Sequence, residues 1–94
     1  LFDFDPYNNR AGIGILIADK NNRGQGYSKY ALKLFLEYAF NHLGLHQVFA
    51  NVTSDNKISI DLFSSLNFKK IGVKKDWLKK GKSYQDEILF QCIR

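Results

Sequence analysis

A Gly-x-Gly pair between a strand-like run and a helix-like run constrains this chain more than any other feature. The stretch Asn21-Asn22-Arg23-Gly24-Gln25-Gly26-Tyr27-Ser28 follows the apolar run Ile13 to Ala18 and leads into an apolar-periodic segment, Tyr27 to Leu43. Glycines one residue apart let the backbone turn tightly and bring successive N–H groups close to a ligand. The helix that begins there adds unsatisfied N–H groups and the positive end of its dipole, so the stretch is expected to hold an anion, a phosphate in particular. The Lys-Ser or Lys-Thr pair of a P-loop is missing. Lys29 stands where a dinucleotide fingerprint needs its third glycine. A plain glycine turn at a helix start is the competing reading of these residues alone.

The rest of the chain reads as strands and helices in alternation. Leu1 to Asp5 alternates apolar and acidic residues, Pro6-Tyr7-Asn8-Asn9 is a turn, and Arg10 to Ala18 is a second strand, giving an antiparallel hairpin. Gly12 and Gly14 weaken that second strand unless it carries a bulge or a close backbone approach. Along Tyr27 to Leu43 the apolar positions 31, 34, 35, 38 and 39 define the expected buried face, and Gly44-Leu45 supplies a left-handed cap. His46 to Thr53 is a buried strand, so strand, helix and strand imply a right-handed parallel crossover. Ser54-Asp55-Asn56 starts a short helix through Ile58, Leu62, Phe63 and Leu66, with Asn67 as its left-handed terminator. Phe68 to Val73 and Tyr84 to Ile93 read as strands around the Lys79-Lys80-Gly81-Lys82 turn.

Two segments together resemble the GNAT N-acetyltransferases. The first is the glycine stretch, similar to the acyl-CoA pyrophosphate loop Gln/Arg-x-x-Gly-x-Gly/Ala, with Asn21 in place of the Gln or Arg. The second runs from Asp55 to Phe68 and resembles Asn-x-x-Ala-x-x-Leu-Tyr-x-x-x-Gly-Phe of the spermidine and ribosomal-protein acetyltransferase branch. Asn56, Leu62 and Phe68 match it, Ser59 replaces a small residue and Asn67 replaces the glycine. The resemblance covers nearly the whole chain, in order. It implies an α/β (α+β) fold, a GNAT-like mixed central sheet flanked by helices. Residues 1–94, which lack any methionine, are expected to be a single partial domain, the acyl-CoA-binding half, with an N-terminal part missing.

The same resemblance implies acetyl-CoA as co-substrate, no metal, and direct transfer of its acetyl group to a primary amine. It assigns cofactor binding to Leu16, Ile17 and Ala18 on the bulged strand, to Arg23, Gly24, Gln25, Gly26, Tyr27 and Ser28 in the loop, and to Asn56. Phe63 stands where the branch carries a general-acid tyrosine, and Ser64 is a candidate substitute. Phenylalanine has no proton to give, so a core role for Phe63 is the plainer expectation. Asn56 as a helix cap and Arg23 as a solvated loop residue are the corresponding plain readings. The general base is not assigned; Asp3, Asp86 and Glu87 are candidates.

Composition narrows the alternatives. The single cysteine, Cys92, excludes an internal disulfide framework and fits a reducing cytoplasm, and it reads as a structural thiol. His42 and His46 lack partners at metal-ligand spacing. No apolar run reaches the roughly 18–20 residues of a membrane span, and the first residues of the given sequence do not show a signal-peptide pattern. The net charge of +5 suits an anionic ligand. Seven lysines between residues 69 and 82, with Trp77 among them and Tyr84 beyond, also allow a basic nucleic-acid-binding module. A further alternative is a CoA-binding protein of this fold with little or no catalysis, which Phe63 favours. The acceptor is open: a protein N-terminus, an amino sugar or a small antibiotic amine. With nine acidic residues against fourteen basic ones, a polyamine is disfavoured. An exposed sheet edge would invite a homodimer.

Overall fold

The structure, a computed structural model, describes residues 2–14 and 25–94. Its elements are β1 (Phe2–Asp5), β2 (Arg10–Gly12), α1 (Gln25–Asn41), β3 (Gln47–Thr53), α2 (Lys57–Ser65), β4 (Lys69–Lys80) and β5 (Ser83–Ile93). The strands form one mixed sheet in the order β1-β2-β3-β5-β4. This is the mixed α+β architecture expected from the sequence. The β1–β2 hairpin is antiparallel, β2 and β3 are parallel across α1, and β5 runs antiparallel to both β3 and β4.

Alternation along β3 sets the layers. Val48, Ala50 and Val52 are buried, and they pair with Cys92, Phe90 and Ile88 on β5. On this face the core continues through Leu32, Leu36, Ala39 and Phe40 of α1 and Leu62 and Phe63 of α2. Both helices therefore cover one side of the sheet. The row Gln47, Phe49, Asn51 and Thr53 faces the other way and is only half-buried.

The buried face of α1 corrects the sequence-based expectation. Of positions 31, 34, 35, 38 and 39, only Ala39 is buried and Phe35 half-buried; Ala31, Leu34 and Tyr38 are exposed. Leu32, Leu36, Ala39 and Phe40 make the contact instead. The helix is apolar on nearly every side, so periodicity offers two stripes and cannot choose between them.

Both helix ends follow from left-handed residues. Gly44 has φ +67°, and the following Leu45, buried in the core, donates its N–H to Ala39 C=O at 3.1 Å. At the end of α2, Asn67 has φ +69°, its N–H reaches Ser64 C=O at 3.2 Å, and Phe68 N–H reaches Phe63 C=O at 3.1 Å. That pair of bonds is a Schellman motif, and the Phe63–Phe68 ring contact at 4.9 Å is the apolar contact that accompanies it.

Several boundaries differ from the sequence reading. The long helix begins at Gln25 and ends at Asn41, where Tyr27 and Leu43 were expected. The expected strand Arg10 to Ala18 is strand over Arg10–Gly12, and its residues 15–18 lie outside the described ones. In β1 the alternation is broken: Asp3 has φ +49°, the register slips by one residue between Phe2 and Asp5, and Phe4 is half exposed. Most of all, β4 continues to Lys80 rather than stopping at Val73. It is an edge strand with lysines on both faces and two register shifts, so no clean alternation marks its length. The hairpin closes on Gly81-Lys82, with Gly81 at φ +62° as a two-residue turn of the II′ kind demands.

Candidate functional site

The parallel pair β2 and β3 fixes where a ligand would lie. Each of these strands leads from its C-terminal end to a helix start, α1 after β2 and α2 after β3. Open α/β sheets place ligands at that edge, where helix N–H groups converge. Gln25, Gly26 and Tyr27 open α1, so their N–H groups lack intrahelical acceptors. Leu16, Ile17, Ala18, Arg23 and Gly24 lie outside the described residues. The described β2–β3 pairing ends where Ile13 N–H meets Phe49 C=O at 2.9 Å.

Asn56 sits at the second helix start as its N-cap. Its Oδ1 accepts the Ser59 N–H at 3.1 Å, and Ser59 is buried beneath it. The capping reading holds, and it uses one oxygen; the amide nitrogen bonds no described residue. Asn56→Ala is expected to lower stability by about 1 kcal/mol in denaturant unfolding, with Asn56→Asp close to neutral.

Phe63 is a core residue. It is 3% exposed, with its ring against Phe68 at 4.9 Å and Phe90 at 6.2 Å. Ser64 is exposed on the other side of α2.

The candidate bases separate by environment. Asp86 is tied into the fold: its Oδ1 accepts the Asp76 N–H at 2.9 Å, and its Oδ2 meets Lys75 Nζ at 3.0 Å. Asp76, at φ +51°, lies within the β4 bulge, so this carboxylate replaces the missing ladder bond there. Those two bonds, the backbone one first, hold the Asp86 carboxyl below the usual aspartate range. It is a poor proton acceptor. Asp55 is lowered by its bond from Lys80 at 2.7 Å, and Asp5 by the Asn8 side chain at 2.8 Å. All three carboxyls bind protons less readily folded than unfolded, so their contribution is present above the ordinary value near 3.9 and is lost as pH falls through the folded values. Melting temperature should drop below about pH 4, and Asp86→Ala should shrink that drop.

Across the sheet, the face opposite α1 and α2 carries a groove of about 420 Å³ lined by Asp3, Arg10, Phe49, Asn51, Lys74 and Gln91 among others. Asp3 therefore faces the same groove as Lys74, whose ammonium reaches Glu87 at 3.3 Å and Asn51 at 3.1 Å. Sequence reasoning missed Asn51 and Lys74; Asn51 alternates with buried residues on β3, which marks it as facing the other side.

The lysine-rich hairpin is partly neutralised. Lys74, Lys75 and Lys80 pair with Glu87, Asp86 and Asp55. No group of His, Cys, Asp and Glu among the described residues could hold a metal ion, and no helix among them is long and apolar enough to cross a membrane.

Known proteins share this arrangement. The sequence profile described as "Acetyltransferase (GNAT) domain" matches residues 1–69. The chain is 32% identical over 90 residues to the "Uncharacterized N-acetyltransferase p20" of Bacillus licheniformis, covering 96% of this chain and 50% of that protein. It is 38% identical over 61 residues to an "N-acetyltransferase 9-like protein" of Nematostella vectensis, covering 65% of this chain and 31% of that one. The chain belongs to the GNAT acetyltransferase family. A crystal structure described as a "Probable acetyltransferase" superposes with a TM-score of 0.87 at 26% identity, over 98% of this chain and 51% of that chain. The spermidine/spermine N-acetyltransferase SpeG of Vibrio cholerae superposes at 0.82 with 22% identity, over 95% of this chain and 53% of its own, a likeness of fold. The chain spans about half the length of the p20 relative and of these structures.

Proposed function

We propose that this chain supplies the acetyl-CoA-binding half of an N-acetyltransferase acting on a primary amine. The observation that carries the reading is the pair of helix starts, at Gln25 and Lys57, that follow the parallel strands β2 and β3. Donors there suit a pyrophosphate. In this reading the N–H groups of Gly24, Gln25, Gly26 and Tyr27 and the Ser28 hydroxyl hold the pyrophosphate, Arg23 offsets its charge, and the Asn56 amide nitrogen orients the CoA arm.

The transfer is direct. The amine nitrogen, once deprotonated, attacks the thioester carbonyl; the C–N bond forms, the C–S bond breaks and CoA leaves as thiolate. N–H groups of Leu16, Ile17 and Ala18 steady the oxyanion. Phe63 gives no proton, so water or the Ser64 hydroxyl protonates the thiolate. A thiol with a pKa near 8.5 leaves tolerably well unaided, and general acid help is typically worth only about 10²–10⁴-fold. A CoA-binding protein with little turnover is the second reading, favoured by the burial of Phe63.

The test is to incubate the full-length protein with acetyl-CoA and a panel of primary amines, following free thiol release and acetylated product by mass. Thiol release matched by product on at least one amine is the expected result. Acetyl-CoA binding without product on any amine would favour the second reading.

A further inference from the structure

The ammonium of Lys74 is held by three groups. Its Nζ donates to Asn51 Oδ1 at 3.1 Å and to Glu87 Oε1 at 3.3 Å, and it sits 4.8 Å from the centre of the Trp77 ring. A carboxylate, a neutral acceptor and an aromatic face are what a primary ammonium needs to replace its water. The groups come from separate places: Asn51 from β3, Glu87 from β5, and Trp77 from the bulged stretch of β4.

Two features set this apart from an ordinary cross-strand ion pair. In an unbroken strand, residues three apart point to opposite faces, so Lys74 and Trp77 would not meet. The register shift between Lys74 and Leu78, with Asp76 at φ +51° pinned by Asp86, brings the indole to the ammonium. The second feature is space. The groove of about 420 Å³ on the face opposite α1 and α2 is lined by both Lys74 and Asn51. The Glu87 side chain is only 15% exposed, so its charge is directed at the guest more than at solvent.

We propose that Glu87, Asn51 and Trp77 form a primary-alkylammonium site that Lys74 fills from within and an external amine fills when Lys74 withdraws. The guest class is an unbranched primary amine, because the present guest is one. Calling that guest the acetyl acceptor rests on the transferase reading; the ammonium site itself does not. Lys74 then acts as a tethered competitor, and removing it should strengthen amine binding.

The experiment titrates n-butylammonium chloride, at constant ionic strength, into full-length protein and follows the assigned indole N–H resonance of Trp77. Lys74→Ala is expected to give a saturable shift at an amine concentration at least tenfold lower than the unaltered protein requires. Adding Glu87→Gln should abolish it, and n-butanol should not reproduce it. Lys74→Ser serves if Lys74→Ala does not fold. A folded Lys74 variant with no saturable shift, or a shift indifferent to Glu87→Gln or matched by n-butanol, overturns the proposal. Acetyl-CoA titrated into the same samples separates the two ideas. Amine binding without acetyl-CoA binding leaves the ammonium site standing and removes the transferase reading; the converse removes the site alone.

Discussion

Replacing Phe63 with alanine should cost the fold about 3–5 kcal/mol, measured by urea unfolding of the full-length protein. Phe63 is 3% exposed, lies between the rings of Phe68 and Phe90, and is the residue whose carbonyl accepts the Phe68 N–H. Truncation removes apolar contact from α2, from the loop after it and from β5 at once. Domains of this kind have about 5–15 kcal/mol in total, so the variant should sit near the edge of folding. Phe63→Leu, which keeps most of the apolar volume, should lose clearly less. A Phe63→Ala variant as stable as the parent would mean the ring does not pack as described.

The second large effect concerns binding rather than stability. Gly26→Trp should weaken acetyl-CoA binding by at least tenfold while leaving the protein folded. Gly26 lies in the first turn of α1, where free N–H groups would meet the pyrophosphate. A bulky side chain there blocks the approach, and each bond to a charged group is worth about 1.5–3 kcal/mol. The helix itself should not suffer, since glycine is about 0.5 kcal/mol poorer than most residues inside a helix. Unchanged affinity in Gly26→Trp would move the cofactor away from this turn.

Much of the fold was legible because single residues carry local rules. Gly44 and Asn67 take the left-handed conformation that ends their helices, Asn56 caps α2, and strand, long helix and strand give the parallel β2–β3 pair. The exposed side of α1 was not legible. Leu34 is as apolar as the buried Leu32 and Leu36, the rings of Tyr30 and Tyr38 extend that second stripe, and only packing against β3 decides between the two. The length of β4 was hidden because an edge strand with bulges needs no alternation, and what stabilises its bulge is Asp86, ten residues away in sequence. The groove residues Asp3, Asn51 and Lys74 come together only when β1, β3 and β4 are placed in one sheet. The glycine loop, the clearest sign in the sequence, lies mostly outside the described residues, so its role rests on the helix it introduces.

Whether this chain carries an acetyl-CoA site is decided by calorimetric titration of acetyl-CoA into the full-length protein. Saturable binding at one site per chain, lost in Gly26→Trp, is the expected result. No binding to a protein that circular dichroism shows to be folded would contradict it.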